Sequence, residues 1–115
     1  MPTLHIELEY ALKNYIALLS SEEYFNAHEV LEAVWHPLRL RDHPLKNLVK
    51  GLINAAIAFE HLKRDRIDAS IRARKVITTY ERYRDLSQQG IVNYELFEDA
   101  IQKVETIKQA CRVFK

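Results

Sequence analysis

The sequence predicts an all-α protein, a single-domain antiparallel bundle of about five helices spanning residues 1–115. Three observations point there. The 115-residue chain holds only two glycines and three prolines, so few positions break a helix. Apolar residues make up 48% and charged residues 29%, enough to build one sizeable core without the composition of a disordered chain. Apolar side chains also recur three and four positions apart through each long segment, which is the helical period.

The first helix is expected over residues 4–19. Thr3 is placed to cap it, and Leu8, Leu12, Tyr15, Ile16 and Leu19 form its inner stripe. The second begins at Ser20–Glu23, where Ser20 and Glu23 have capping-box spacing and could satisfy two orphan amides. It is expected to stop near His36, because Pro37 disfavours a helical conformation in the residue before it. Residues 37–44 then read as a loop, with Pro44 in the first turn of helix three, where a missing N–H costs nothing. Helix three runs to Arg64. Its middle, Gly51 to Phe59, is apolar nearly all round, so it should be central. Helix four starts after a tight turn at Asp65-Arg66, with Asp68 as its cap. Its inner stripe is Ala69, Ala73, Val76, Tyr80 and Tyr83, and Arg72, Arg74, Lys75 and Arg82 lie largely outside. It ends at Gln88-Gln89-Gly90, with Gly90 in the left-handed conformation. Asn93 caps helix five, whose inner face is Phe97, Ile101, Val104, Cys111 and Phe114.

Charge narrows the function classes. The net charge of +1 gives no global attraction to nucleic acid or anionic membrane. Its distribution is uneven: residues 1–35 carry six acids against Lys13 alone, and residues 63–85 carry eight bases against four acids. The bases of helix four with Tyr80 and Tyr83 resemble a nucleic-acid patch, but both tyrosines fit the core stripe and the pI near 7.9 is low for a dedicated binder. Cys111 is the single cysteine, which agrees with a reducing, cytoplasmic setting and reads as a core thiol. The N-terminus shows no signal-peptide pattern, and the most apolar stretch is too short to span a bilayer, so no membrane partner is expected. A homo-oligomer is compatible with the sequence.

One polar cluster stands out on these apolar helices. His28 and Glu32 lie one turn apart on helix two, with Trp35 on the same side and Phe25 and Leu31 flanking it. Asn54 and His61 lie seven apart on helix three, with Ala58 between them. Antiparallel packing of helices two and three would set early His28 against late His61, with Glu32 in reach of both, and Trp35 toward the Gly51–Asn54 end. Gly51 and Ala58 would let the backbones approach closely.

Two interpretations stand side by side. In one, His28 bonds Glu32 and Asn54 and His61 complete a satisfied polar network. In the other, His28, Glu32 and His61, with Asn54 as a weaker fourth candidate, hold a divalent transition metal; imidazole with carboxylate suits Zn, Mn, Fe or Ni. Glu29 sits roughly 100° around the helix from His28 and is a rim residue and candidate base. His28-Glu29 is no zincin motif, because Glu32 stands where a second histidine is required. His5, His36 and His43 fall outside the stripe.

The segment from Phe25 to Trp35, followed by Lys50 to Ala58 and His61, resembles the domain of unknown function 309 family of small helical bacterial and archaeal proteins. The family's hallmark His-x-x-x-Glu-x-x-Trp falls here on His28, Glu32 and Trp35. The resemblance implies a helical fold and a suggested metal-binding role for that motif, without an established activity. It spans about residues 20–75. Asn54 stands where a glutamine is expected, and Asp65-Arg66 where a Gly-Asn turn is usual. Function therefore divides between a metal-dependent enzyme, a hydrolase with Glu29 or Glu32 as base, and a non-catalytic interaction module. An open pocket at His28 and His61 would favour the first, and a sealed, fully bonded cluster the second.

Overall fold

The computed structural model describes residues 2–114, with the side chains of residues 4–114. Five α-helices account for most of it: α1 (Pro2–Ser20), α2 (Tyr24–Leu40), α3 (Lys46–Arg64), α4 (Ala69–Tyr83) and α5 (Tyr94–Ala110). Short 3-10 turns follow α4 at Arg84–Leu86 and α5 at Arg112–Phe114. No strand occurs among the described residues. Each helix packs on its sequence neighbour from α1 to α4, and α5 returns to α1. One continuous core draws on all five, including Leu12 and Tyr15, Leu31, Leu52 and Ile53, Ala73 and Tyr80, and Phe97 and Val104. As expected, α3 is central: Leu48, Val49, Leu52, Ile53, Ala55, Ala56, Ala58 and Phe59 are all buried.

Several local expectations are corrected. α1 already includes Thr3, whose capping side chain lies outside the described residues. Ser20 forms no capping box, because α1 continues through it and its hydroxyl donates to the Ile16 carbonyl at 3.1 Å. The Ser21 hydroxyl instead donates to the Glu23 carboxylate, at 2.8 Å. α2 passes through Pro37 to Leu40. The proline leaves the Ala33 carbonyl without its helical donor, but Ala33 is exposed and water can serve there, and the extra turn buries Leu38. Pro44 lies in the turn before α3, not inside it.

The helix boundaries rely on left-handed residues in place of side-chain caps. Asp65 (φ 50°) ends α3, while Asp68 (φ 65°) and Asn93 (φ 58°) precede α4 and α5 without a side-chain cap bond. Asp65 thus adopts a left-handed conformation that favours glycine, at a cost of about 1 kcal/mol or more. Asn93 spends its amide elsewhere, donating to the His5 carbonyl at 3.1 Å. α4 ends earlier than expected, at Tyr83, but Gly90 does take a positive φ, of 101°.

Gly51 does allow a close crossing, though its partner is α4 and not α2. A Cβ built on it would sit 3.0 Å from Tyr80 Cα and 3.4 Å from the Thr79 carbonyl oxygen. Tyr80 itself is buried and links α4 to α5: its hydroxyl donates to the Glu105 carboxylate at 2.5 Å, to which Arg84 also donates at 2.8 Å. Lys108 completes the group, 3.6 Å from Glu105 and 2.8 Å from Glu81. Burial, with the bond to Glu105, raises the Tyr80 phenol well above its usual range. Burial pushes the Glu105 carboxyl up, but the Tyr80 bond, Lys108 and Arg84 outweigh it and hold the group below its ordinary value. Between α1 and α3, the Tyr15 hydroxyl donates to the Leu52 carbonyl at 2.7 Å in the core. On the inner face of α5, Ala100 is buried with Phe97 and Val104, whereas Ile101, Cys111 and Phe114 are half-buried.

Candidate functional site

α2 and α3 run antiparallel. At one end, Lys63 Nζ donates to the Glu22 carbonyl at 2.7 Å and the Tyr24 and Phe59 rings meet edge-on at 5.5 Å. At the other, Lys50 Nζ sits 4.5 Å from the centre of the Trp35 ring. This arrangement sets His28, one turn into α2, beside His61, in the last turn of α3. Both imidazoles are half-buried and line one cavity of about 290 Å³.

The walls come from three helices. α2 gives Phe25 and His28, and α3 gives Ile57, Glu60, His61 and Arg64. The α3–α4 turn and the start of α4 add Arg66, Ile67, Ala69 and Arg72. Phe25 and Ile67 are exposed for large apolar residues, at 45% and 87%, so the mouth carries an apolar lip.

His28 is oriented from within its own helix. Its Nδ1 lies 2.6 Å from the Phe25 carbonyl oxygen, one turn back. A carbonyl only accepts, so Nδ1 carries a proton, and in the neutral form of the ring the lone pair is on Nε2. The ring also packs edge-on against Phe25, with centroids 4.9 Å apart. Phe25 in turn meets the Arg64 guanidinium 5.6 Å from its centre, and Arg64 Nε donates to the Glu60 carboxylate. Glu60 therefore already has a cationic partner. Arg66 and Arg72 are exposed and form no ion pair among the described residues.

The remaining residues of the motif are placed differently. The expected His28–Glu32 bond is not formed. The Phe25 carbonyl lies at fixed helical reach and captures the imidazole proton without ordering a flexible carboxylate. Glu32 and Asn54 are half-buried, do not line the cavity, and make no side-chain hydrogen bond among the described residues. Glu29 is exposed and does not line the cavity. Trp35 packs against the core edge, flanked by Lys50 and by Arg39, whose guanidinium carbon is 5.1 Å from its centre. Its indole N–H makes no hydrogen bond among the described residues, and the ring is half-buried.

The donor set tests the metal expectation. Among the described residues, no three His, Cys, Asp or Glu side chains converge as metal ligands. His28 and His61 share the cavity, but Glu32 does not complete a preformed set with them. Catalytic zinc sites use three protein ligands, so the side chains as placed do not fit one.

The sequence matches the family model described as domain of unknown function (DUF309) over residues 12–73, more than half of the chain. The chain belongs to the DUF309 family. No curated protein and no solved structure matches it. The DUF309 match holds every residue of the cavity, from Phe25 to Arg72, and excludes α5. Among the described residues, no helix is long and apolar enough to cross a membrane.

Sequence reasoning placed His28 and His61 in one cavity but missed Phe25, Arg66, Ile67 and Arg72 as parts of its wall. One signal was available. Arg66 and Ile67 follow His61 within two turns' length of chain, so the turn that reverses α3 must pass close to the imidazoles.

Proposed function

We propose that this DUF309 chain binds a small molecule in the cavity between α2, α3 and the start of α4, and that His28 acts on it as a proton acceptor through Nε2. The observation that carries this reading is that His28 and His61 line one cavity, with the His28 tautomer fixed by the Phe25 carbonyl. A neutral imidazole with its donor nitrogen committed has a free, oriented base at the other, which is the requirement for general base chemistry near neutral pH. His61 is the second group able to take or give a proton there. Glu29 and Glu32 lie away from the cavity, which moves the base role from the carboxylates to the imidazole. The open pocket supports an enzyme more than an interaction module, which a sealed network would have suited. The single cysteine supports a cytoplasmic setting within the same proposal.

A ligand-detected NMR screen with acidic, basic and neutral fragments tests the reading. Parent protein and Ile57→Trp, which fills the cavity, are compared. Fragments that bind the parent and not the variant are expected; identical hit lists for both would overturn the cavity as the site.

A divalent metal held by the two imidazoles of His28 and His61, without Glu32, is a second reading. It is favoured by one observation: a ring N–H donated to a backbone carbonyl is how metal-ligating imidazoles are commonly oriented. Equilibrium dialysis of untagged protein against Zn²⁺, Mn²⁺, Fe²⁺ and Ni²⁺ decides it. Retention in the parent that His28→Ala and His61→Ala both abolish is expected. Equal retention in all three removes it.

A further inference from the structure

The cavity has a chemical polarity of its own, apart from its imidazoles. Three arginines line it, Arg64, Arg66 and Arg72, against one carboxylate, Glu60. That carboxylate is held by Arg64, so its charge is met within α3. Arg66 and Arg72 remain as two guanidinium groups at the mouth without an ion pair among the described residues. The acids of the same turn, Asp65 and Asp68, do not line the cavity. The same lining carries the Phe25 ring, Ile57 and Ile67, with Ile67 almost fully exposed. Two guanidinium groups without an ion pair, sharing one cavity lining with apolar side chains, suit a ligand with a charged end and an apolar end.

We propose that the ligand is a small organic oxyanion, a phosphate or carboxylate carried on a compact apolar body. Arg66 and Arg72 take the anion as planar, multi-donor groups, and Phe25, Ile57 and Ile67 cover the body. The volume of about 290 Å³ limits that body to roughly one ring or a short branched chain, at the small end of ligand pockets. In this pose the anion stays at the arginine-lined mouth and the body's far end is directed at His28 and His61. The anion is then the handle and not the reacting group. This assignment rests on the cavity being the ligand site, as proposed above.

The test is a titration of ¹⁵N-labelled full chain with three probes: phenyl phosphate, inorganic phosphate and benzyl alcohol. Phenyl phosphate is expected to shift the amides of Phe25, Ile57, His61, Ile67 and Arg72 saturably. Inorganic phosphate, lacking the body, and benzyl alcohol, lacking the charge, should each bind at least about tenfold more weakly. The double variant Arg66→Gln/Arg72→Gln changes only exposed side chains. It should lose at least about tenfold in phenyl phosphate affinity and keep its weak affinity for benzyl alcohol. Benzoate repeats the series with a carboxylate and is expected to show the same arginine dependence. Benzyl alcohol binding as tightly as phenyl phosphate, or phenyl phosphate binding the double variant as tightly as the parent, overturns the inference and leaves the cavity reading standing. If no probe moves the cavity amides, the inference fails, and the fragment screen with Ile57→Trp decides separately whether the cavity reading fails with it.

Discussion

Replacing Gly51 with alanine should destabilise the protein, although alanine is the better helix former. Two effects oppose each other. In the interior of α3, alanine in place of glycine is favoured by about 1 kcal/mol through backbone entropy. The added methyl, however, would stand 3.0 Å from Tyr80 Cα and 3.4 Å from the Thr79 carbonyl oxygen. Both are backbone atoms, so no side chain can rotate away, and the α4 backbone itself must give by a few tenths of an ångström. Overpacking of that kind costs about 1–3 kcal/mol. The shift would also strain the bond from Tyr80 to Glu105 that joins α4 to α5. The net expectation is a loss of about 1 kcal/mol, or a fall of about 4 °C in Tm for a domain near this size. Urea denaturation followed by far-UV circular dichroism measures it. Ala33→Gly, at an exposed position inside α2, is the companion variant and should lose about 1 kcal/mol from propensity alone. A Gly51→Ala protein more stable than its parent would show that α4 yields to the methyl and refute the rigidity assumed for the α3–α4 crossing.

Other outcomes follow from separate features. Asp65→Gly should stabilise the protein by up to about 1 kcal/mol in thermal unfolding, since it removes a left-handed Cβ and a negative charge from the C-terminus of α3; a lower Tm refutes it. Tyr15→Phe should cost about 1 kcal/mol by chemical denaturation, because the Leu52 carbonyl keeps its helical bond and only the phenol bond is lost; a loss above about 3 kcal/mol would show that more than that bond depends on the hydroxyl. Glu105→Gln should cost about 2 kcal/mol at neutral pH. The Glu105 carboxyl lies below its ordinary value, so its contribution is full above about pH 4.5 and fades as the pH falls through the folded-state value. The gap between parent and Glu105→Gln should therefore narrow in acid, and a pH-independent gap refutes the charge-based account. His43 is held below the usual histidine value by burial first, then by His5 and Arg41, so its protonation opposes folding. An NMR titration of its ring should give a midpoint below 6.5, with stability falling as the pH drops through that region; a midpoint above 6.5 refutes the placement of His43.

The parts of this molecule governed by local periodicity could be read directly from the sequence. The inner stripes of α1 and α3 and the burial of Phe97 and Val104 follow from apolar spacing alone. That His28 and His61 line one cavity followed from one further step, antiparallel packing across a short turn. What escaped depended on non-local geometry or on competition between near-equal local options. Pro37 did not end α2, because burying Leu38 outweighed one solvent-facing carbonyl. Ser20, Asp68 and Asn93 had the right chemistry for caps, yet the chain turns through left-handed residues at Glu22, Asp68 and Asn93 and leaves those side chains other partners or none. Gly51 signalled a close approach but not to which helix. The pairing of His28 with Glu32 looked natural at four-residue spacing, but the imidazole bonds the Phe25 carbonyl instead. Arg66, Ile67 and Arg72 became part of the site only through the direction in which α4 leaves its turn.

The order of the helices also bears on how the chain assembles. Every wall of the cavity comes from residues 25–72, which fold through contacts between helices adjacent in sequence. Such contacts close short loops and form quickly. α5 must instead come back to α1, where the Asn93 amide meets the His5 carbonyl 88 residues away. Closing that longer span adds only modest entropy cost, since the cost rises with the logarithm of loop length, but it has to wait until the segment exists. On a ribosome, the histidine-lined hollow can take shape while the strap that closes the bundle is still being synthesised.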